Sequence, residues 1–167
     1  MNNISRYVKD KLSDSTYQKM KSLKNISFKY GRVVYFSEEN IDKGQNGYRY
    51  NPVKDECIVN WPDDNFVVIG IDNSVGDGGE PIILKTDENN LPVYHFENLD
   101  WNQPEKITES LDDYIRINNM IAQYSEDIEE ENLSEADFNY LVNEIKKISN
   151  SYYWVGFLTC AMPLDES

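Results

Sequence analysis

The sequence predicts an α+β fold in which helices pack around one twisted, mainly antiparallel sheet. Three observations support this prediction. Strand-like runs bounded by Gly and Asx clusters follow one another through the middle of the chain. Helical patterns with N-cap residues fill most of the last third. The order is helix, then strands, then helices, which is typical of α+β domains and differs from the alternation that builds a parallel sheet.

The length and composition predict one domain with a hydrophobic core. A chain of 167 residues is long enough for such a core, and no repeat or linker divides it. Cys57 and Cys160 stand alone, which favours reduced core residues over a disulfide. The sequence shows no apolar leader and no run of roughly 20 apolar residues. We therefore expect a cytoplasmic protein that does not bind membranes.

The stretch 66–97 organises the predicted sheet. It contains three strand-like runs, which are Phe66–Ile71, Ile82–Leu84 and Val93–Phe96. The connecting turns are Gly76-Asp77-Gly78-Gly79 and Asp87-Glu88-Asn89-Asn90. The first run is apolar on both faces, so we expect a central strand that is covered on both sides and packed by helices.

Weaker signals precede this stretch. Residues 2–25 carry a thin helical stripe that Ser13-Asp14-Ser15 interrupts, and a second helix is expected to begin there. Short strands are predicted at residues 33–36, at residues 57–59 and, as an edge strand, around Tyr48 and Tyr50.

The last third of the chain predicts helices. Pro104 suits the first turn of a helix, and residues 108–124 form a helical pattern with a capping box at Ser110 and Asp113. Residues 126–131 are a charge run, for which an exposed loop is expected.

Ser134 is the N-cap of the most regular predicted helix. Its apolar stripe consists of Phe138, Leu141, Val142, Ile145 and Ile148. Residues 152–161 read as a buried strand by composition and as a helix by the spacing of their apolar side chains. The spacing favours the helix.

The net charge of −14 is unevenly distributed. Residues 1–33 carry eight Lys and Arg against two Asp, a net charge of +6, so the other 134 residues carry −20. Such a body repels free nucleic acid and anionic membranes and attracts cationic protein surfaces. The alternative is that the acidity only keeps the protein in solution. For the basic segment, a solvated face or an internal partner for the acidic body is favoured over a nucleic-acid contact.

Catalytic and cofactor motifs are absent from the sequence. His95 is the only histidine, so any Ser–His–Asp or Cys–His arrangement would depend on it, and a lone strand histidine is more often structural. Asp72, Asp77 and Glu80 resemble a calcium loop only superficially, because Asp77 stands where that loop requires glycine. The glycine-rich turn precedes a strand, whereas a dinucleotide site needs a helix there. The sequence therefore predicts a binding module with no cofactor, no metal and no catalytic residue.

Residues 66–115 resemble the SUKH superfamily, which includes bacterial toxin-immunity proteins and a fungal cell-wall regulator. The matching elements, in the family's order, are Phe66–Gly70 with Asp72, the Gly76-Asp77 turn, Pro81-Ile82-Ile83, Leu91-Pro92-Val93-Tyr94, Trp101 and the helical Ile107–Ile115. The late Tyr152-Tyr153-Trp154 segment looks like the aromatic terminal helix of some members.

Two features depart from the family pattern. The residues Gly78-Gly79-Glu80 stand between the Gly-Asp turn and Pro81, and the family's early Leu-Pro is absent from residues 1–30.

The resemblance implies a single SUKH-like domain over residues 1–167, with a family-like core at about 26–124 and a helical C-terminal extension at 134–161. It also implies a non-catalytic role, because bacterial members neutralise polymorphic toxins, often nucleases, by binding them directly. We therefore expect an immunity protein whose partner is a cognate toxin with a basic active-site face. A regulatory or scaffold module without a toxin is the alternative, and an enzyme that uses His95 with a nearby carboxylate is the third hypothesis.

The candidate contact residues combine loop carboxylates with tyrosines. Acidic side chains would imitate a phosphate backbone, and tyrosines would supply buried anchors. These candidates are Tyr48, Tyr50, Asp72, Asp77, Glu80, Asp87 and Glu88. An ordinary solvated turn is the competing explanation for each of them.

Overall fold

Six antiparallel strands form the central sheet in the computed structural model, which describes residues 5–74, 79–96 and 104–163. The strands are β1 (Ile26–Ser27), β2 (Arg32–Tyr35), β3 (Tyr50–Asn51), β4 (Glu56–Cys57), β5 (Phe66–Asn73), β6 (Glu80–Lys85), β7 (Val93–His95) and β8 (Glu105–Thr108). The order in the sheet is β1-β2-β5-β6-β7-β8, and β3 and β4 form a separate two-stranded ladder. The predicted α+β fold is confirmed.

Five α-helices accompany the sheet in the described part of the chain. They are α1 (Asp14–Met20), α2 (Leu111–Ile121), α3 (Ser125–Glu129), α4 (Glu135–Lys146) and α5 (Tyr153–Thr159). Three helices begin at a serine whose hydroxyl accepts the backbone N–H three residues on, namely Ser13, Ser110 and Ser134. The helix predicted from the spacing of residues 152–161 is confirmed as α5.

Strand β5 is buried on both faces, as predicted. Val67 and Ile69 pack on the side that the helices cover. Phe66 and Val68 pack on the other side against aromatic residues such as Trp61. Helices were expected on both sides of β5, but a long connection between β2 and β5 contributes to the cover of this second side.

Gln45 ties that connection to β5. Its side-chain amide donates to the Val68 carbonyl at 2.8 Å and accepts from the Val68 N–H at 3.0 Å, so one side chain satisfies both backbone groups. Gly70 allows β2 to approach closely at the irregularity between Val68 and Gly70, because a Cβ there would lie 2.6 Å from the Val34 carbonyl oxygen.

Arg49 belongs to the same connection and is fully buried. Its Nε donates to the Ser5 carbonyl, and its Nη1 donates to the carbonyls of Asp64 and Phe66, each at 2.7 Å. Its Nη2 pairs with the Asp64 carboxylate, which also accepts from Lys11. These residues, Ser5, Lys11, Arg49, Asp64 and Phe66, are called the Arg49 centre below.

Two predictions for the last third are wrong. Residues 105–108 are strand β8 and not the start of a helix, because pairing with β7 overrides their weak local preference. Residues 126–131 were expected to form an exposed loop, but Ser125–Glu129 form α3, since Ile128 is fully buried in the core. The N-terminal helical pattern is also shorter than predicted and reduces to α1 with a 3-10 turn at Lys9–Lys11.

Candidate functional site

The strand register places four ionisable side chains in one row. Asp72 lies opposite Glu80, and His95 lies opposite Glu105. His95 is also opposite Ile82, which shares a strand face with Glu80 two residues earlier. The row therefore crosses the ends of β5, β6, β7 and β8 on one face of the sheet, with a step of two residues along β6 between the Asp72–Glu80 pair and the His95–Glu105 pair.

Helix α5 lies beside this row and closes a cleft of about 390 Å³. We call it the acidic cleft. Its lining residues are Asp72, Ser74, Glu80, His95, Glu105, Tyr152, Tyr153, Gly156, Phe157 and Cys160.

Hydrogen bonds to β8 hold α5 in this position. The Trp154 indole N–H donates to the Ile107 carbonyl at 3.1 Å, and the Ser149 hydroxyl donates to the same carbonyl at 2.6 Å. The Ser151 hydroxyl donates to the Glu105 carboxylate. Because Trp154 is itself buried, the wall of the cleft formed by α5 is part of the core.

Asp72 is the most enclosed carboxylate of the cleft, with 7% of the residue exposed. One carboxylate oxygen accepts the Ser74 backbone N–H at 2.9 Å, and the other accepts the Tyr153 hydroxyl at 2.8 Å. Burial and the Asp72 charge raise the pKa of Tyr153 well above its ordinary value. The Tyr153 hydroxyl is therefore protonated at neutral pH and donates a hydrogen bond to Asp72.

His95 is 4% exposed and packs against the Tyr153 ring, with 4.6 Å between ring centroids. Its Nε2 lies 2.8 Å from Glu80 Oε2, but the geometry is not aligned for a hydrogen bond.

Cys160 is a partly buried residue of the lining. Burial raises the pKa of its thiol, and the nearby Asp72 charge adds to this effect. The thiol therefore stays protonated at neutral pH and is a weak nucleophile.

Two residues of α5 and its N-cap, Tyr152 and Gly156, line the cleft where it is open to solvent. Tyr152 is 87% exposed. Gly156, one turn further along α5, offers no side chain, and a Cβ built there would meet no atom within 4 Å. The cleft therefore has an aromatic rim beside an open wall.

The structure brings only some of the predicted contact residues together. Asp72 and Glu80 meet in the acidic cleft. Asp87 and Glu88 are exposed, lie beyond the far end of β6 and both pair with Lys85, which is about 17 Å along the strand from Glu80.

The predicted tyrosines have internal contacts. Tyr48 is half-buried and donates its hydroxyl to the Gly79 carbonyl at 2.9 Å. Tyr50 is 6% exposed, and the Arg6 guanidinium carbon lies over its ring, 5.0 Å from the ring centroid. Little of the Tyr50 ring is therefore accessible to a partner. Asp77 and Trp101 lie outside the described residues.

Sequence reasoning missed Glu105, Tyr152, Tyr153 and Gly156 as cleft residues. Glu105 was hidden because β8 was taken for the start of a helix. Residues 105–108 contain one apolar residue, Ile107, so no alternation of apolar and polar residues marks them as a strand.

The basic N-terminal segment is paired with the acidic body. Its side chains form ion pairs with later residues, at Arg6–Asp55 (3.2 Å), Lys9–Glu38 (3.3 Å), Lys11–Asp64, Lys19–Asp112 (2.7 Å) and Lys29–Glu131 (3.1 Å). This arrangement agrees with the internal role that the sequence favoured for the segment.

Within residues 5–74, 79–96 and 104–163, no three His, Cys, Asp or Glu side chains converge in a way that would hold a metal ion. The helices in these ranges are all too short or too polar to cross a bilayer. Comparison with known proteins finds no match to this chain among family models, curated proteins or solved structures.

Proposed function

We propose that this protein is an immunity protein that binds a cationic bacterial toxin and neutralises it by covering its active site. The observation that carries the proposal is the distribution of charge. Cations of the N-terminal segment are used in ion pairs with the protein's own carboxylates. The surplus of acidic side chains therefore makes the outer surface negatively charged. Many of these side chains are exposed on α3 and at the start of α4.

The mechanism follows from electrostatics. An acidic surface attracts a basic active-site face and raises the rate of encounter by about 10- to 1,000-fold at low salt. The complex then blocks access to the toxin's substrate without any chemical step. The resemblance to the SUKH superfamily supports this role.

An enzyme is the second candidate, because the structure places His95 beside Glu80 in a cleft that also holds Asp72. A histidine with carboxylates is a common arrangement for acid–base chemistry. Two neighbours argue against a nucleophilic mechanism in this cleft. Tyr153 and Cys160 both have raised pKa values and stay protonated at neutral pH, so neither is an activated nucleophile.

Growth rescue tests the proposal. Products of the genes that neighbour this one are expressed alone and together with this protein, and the pairs are then co-purified. We expect one product to arrest growth, this protein to restore it, and the two to form a stable complex. An active toxin that is neither rescued nor bound would contradict the proposal and would favour a regulatory module with a host partner.

The salt dependence of binding tests the electrostatic mechanism separately. We expect the association rate to fall about tenfold or more between low salt and 1 M salt, with a much smaller change in the dissociation rate, because the Debye length shrinks to about 3 Å. An association rate that does not respond to salt would exclude charge steering and would leave direct occlusion standing.

A further inference from the structure

We propose that the sheet edge at residues 35–37 binds an extended, acidic segment of a partner protein by strand addition. The cavities beside this edge share no lining residue with the acidic cleft. The proposal therefore goes beyond the immunity function and does not depend on it.

The first argument is that β2 is longer than the strand on its outer side. β1 reaches only as far as Val33, whereas β5 pairs with β2 up to Tyr35. The Phe36 N–H then donates to the Ile69 carbonyl of β5 at 2.9 Å. Among the described residues, no strand lies beside the outer edge of residues 35–37.

The second argument is that the Asn25 side chain takes the place of a neighbouring strand. Backbone groups alternate in direction along an antiparallel strand, so Tyr35 directs its N–H and its carbonyl to the outer side. The Asn25 Oδ1 accepts the Tyr35 N–H at 3.1 Å. The Tyr35 carbonyl receives no hydrogen bond from the described residues on this side. An added strand would supply both partners from its own backbone.

The third argument is the charge beside this edge. Lys21 and Lys24 are exposed and line a cavity of about 310 Å³ together with Tyr35. Neither lysine forms an ion pair with the described residues, and the cavity's carboxylate, Glu38, is already paired with Lys9 at 3.3 Å. A local surplus of positive charge favours a segment that carries Asp or Glu side chains.

The fourth argument is the room on both faces of the sheet. Successive side chains of a strand point to opposite faces. The cavity with the two lysines is bounded by Tyr17 and Met20 of α1, which belong to the helix-side core. A second cavity, of about 520 Å³, also borders residues 35–37 and is bounded by Asn40 and Gly44 of the connection that follows β2. Both sets of side chains of an added strand therefore have space.

The test is an NMR titration of the purified protein with three peptides. Acetyl-Glu-Val-Glu-Val-Glu-amide combines negative charge with strand-forming residues. Acetyl-Glu-Pro-Glu-Pro-Glu-amide keeps the charges but lacks two backbone N–H donors, and acetyl-Lys-Val-Lys-Val-Lys-amide reverses the charges. We expect the first peptide to shift the backbone amide signals of Asn25, Tyr35 and Ser37 in a saturable manner. We expect each of the other two to bind at these signals about tenfold or more weakly.

Two pairs of variants locate the binding. Asn25→Ala removes the side chain that competes for the Tyr35 N–H, so we expect it to strengthen binding of the first peptide about threefold, while Asn139→Ala, at an exposed position of α4, leaves it unchanged. Lys24→Gln removes one charge beside the edge and should weaken binding about threefold. Lys146→Gln is its control, because Lys146 is also exposed but lies at the end of α4.

Lysines at a sheet edge also discourage strand pairing, which gives the contrary outcome a physical meaning. Equal binding of the three peptides, or no saturable shift at Tyr35 and Ser37 with any of them, would overturn the proposal. Lys21 and Lys24 would then only protect the edge from pairing. Weaker binding by Asn25→Ala would likewise overturn strand addition, because an added strand has to replace the Asn25 side chain.

Discussion

The Arg49 centre and the acidic cleft lie near opposite ends of β5 and differ in which charges they contain. In the Arg49 centre, a fully buried guanidinium is held by the Asp64 carboxylate and by backbone carbonyls. In the acidic cleft, carboxylates of Asp72, Glu80 and Glu105 share a lining whose described residues include no Lys or Arg.

The two sites therefore differ in how their charges are compensated within the chain. Burying a charge is costly unless its partners are supplied, and the Arg49 centre supplies them from within the chain. In the cleft, Glu80 and Glu105 are partly exposed, and buried Asp72 accepts from two neutral donors among the described residues, the Tyr153 hydroxyl and the Ser74 N–H. Carboxylates that have no cation beside them contribute less to the free energy of folding than the paired charges of the Arg49 centre do.

Removing Arg49 should produce the largest effect. Arg49→Met removes the side-chain donor to the Ser5 carbonyl and one of two side-chain donors to the Phe66 carbonyl, and it leaves the Asp64 carboxylate with one cation fewer. We expect the free energy of unfolding, measured by urea denaturation, to fall by about 3–5 kcal/mol.

Arg6→Met is the matched control, since Arg6 is exposed and its ion pair with Asp55 is open to solvent. We expect this variant to unfold close to the wild-type midpoint. If Arg49→Met were as stable as Arg6→Met, the interactions of the Arg49 centre would not stabilise the folded protein.

Removing the Tyr153 hydroxyl should have a smaller effect. Tyr153→Phe deletes the donor to Asp72 at 2.8 Å and leaves a buried carboxylate with one hydrogen bond fewer. Because hydrogen bonds to charged groups contribute about 1.5–3 kcal/mol, we expect a destabilisation of that size in thermal or urea unfolding.

Tyr140→Phe provides the control, because Tyr140 is 54% exposed. A Tyr153→Phe protein that is as stable as Tyr140→Phe would mean that Asp72 is solvated in the cleft and needs no donor from α5.

The pH dependence of the Arg49 centre should be the smallest of these effects. Burial alone would raise the pKa of Asp64, but the hydrogen bonds from Lys11 and the Ser5 amide and the charge of Arg49 outweigh it and lower this pKa. A carboxyl whose pKa is lowered by folding contributes stability above its unfolded pKa, near 4, and loses it as the pH falls through the folded value.

We therefore expect Asp64→Asn to flatten the loss of stability below about pH 4, as measured by unfolding at a series of pH values. Because Asp64 is partly exposed, its share of the acid sensitivity is modest. If the stability of the variant fell with pH as that of the wild type does, Asp64 would not contribute to the acid sensitivity of the protein.

The sequence predicted the parts of the fold that local patterns determine. The capping serines Ser110 and Ser134 and the two-sided burial of β5 are examples. It did not predict β8, whose four residues form a strand because β7 offers an unpaired edge, and a single sequence does not display that long-range condition.

The acidic cleft was predictable only in part. Asp72 and Glu80 were chosen as loop carboxylates, but their meeting with His95 and Glu105 depends on the register of four strands. Register shifts occur on both β5 and β7, so counting residues along the sequence would have misplaced the row.

The bond between Arg49 and the main chain of Ser5 has a consequence for shortening the protein. A polar, lysine-rich leading segment is ordinarily the part of a domain that tolerates trimming or proteolytic clipping. Here the Ser5 carbonyl accepts from a guanidinium 44 residues later, and the Ser5 N–H donates to Asp64 at 2.9 Å. Cutting the chain after Ser5 would therefore open the buried charge to water, so Ser5 is part of the structure that encloses Arg49.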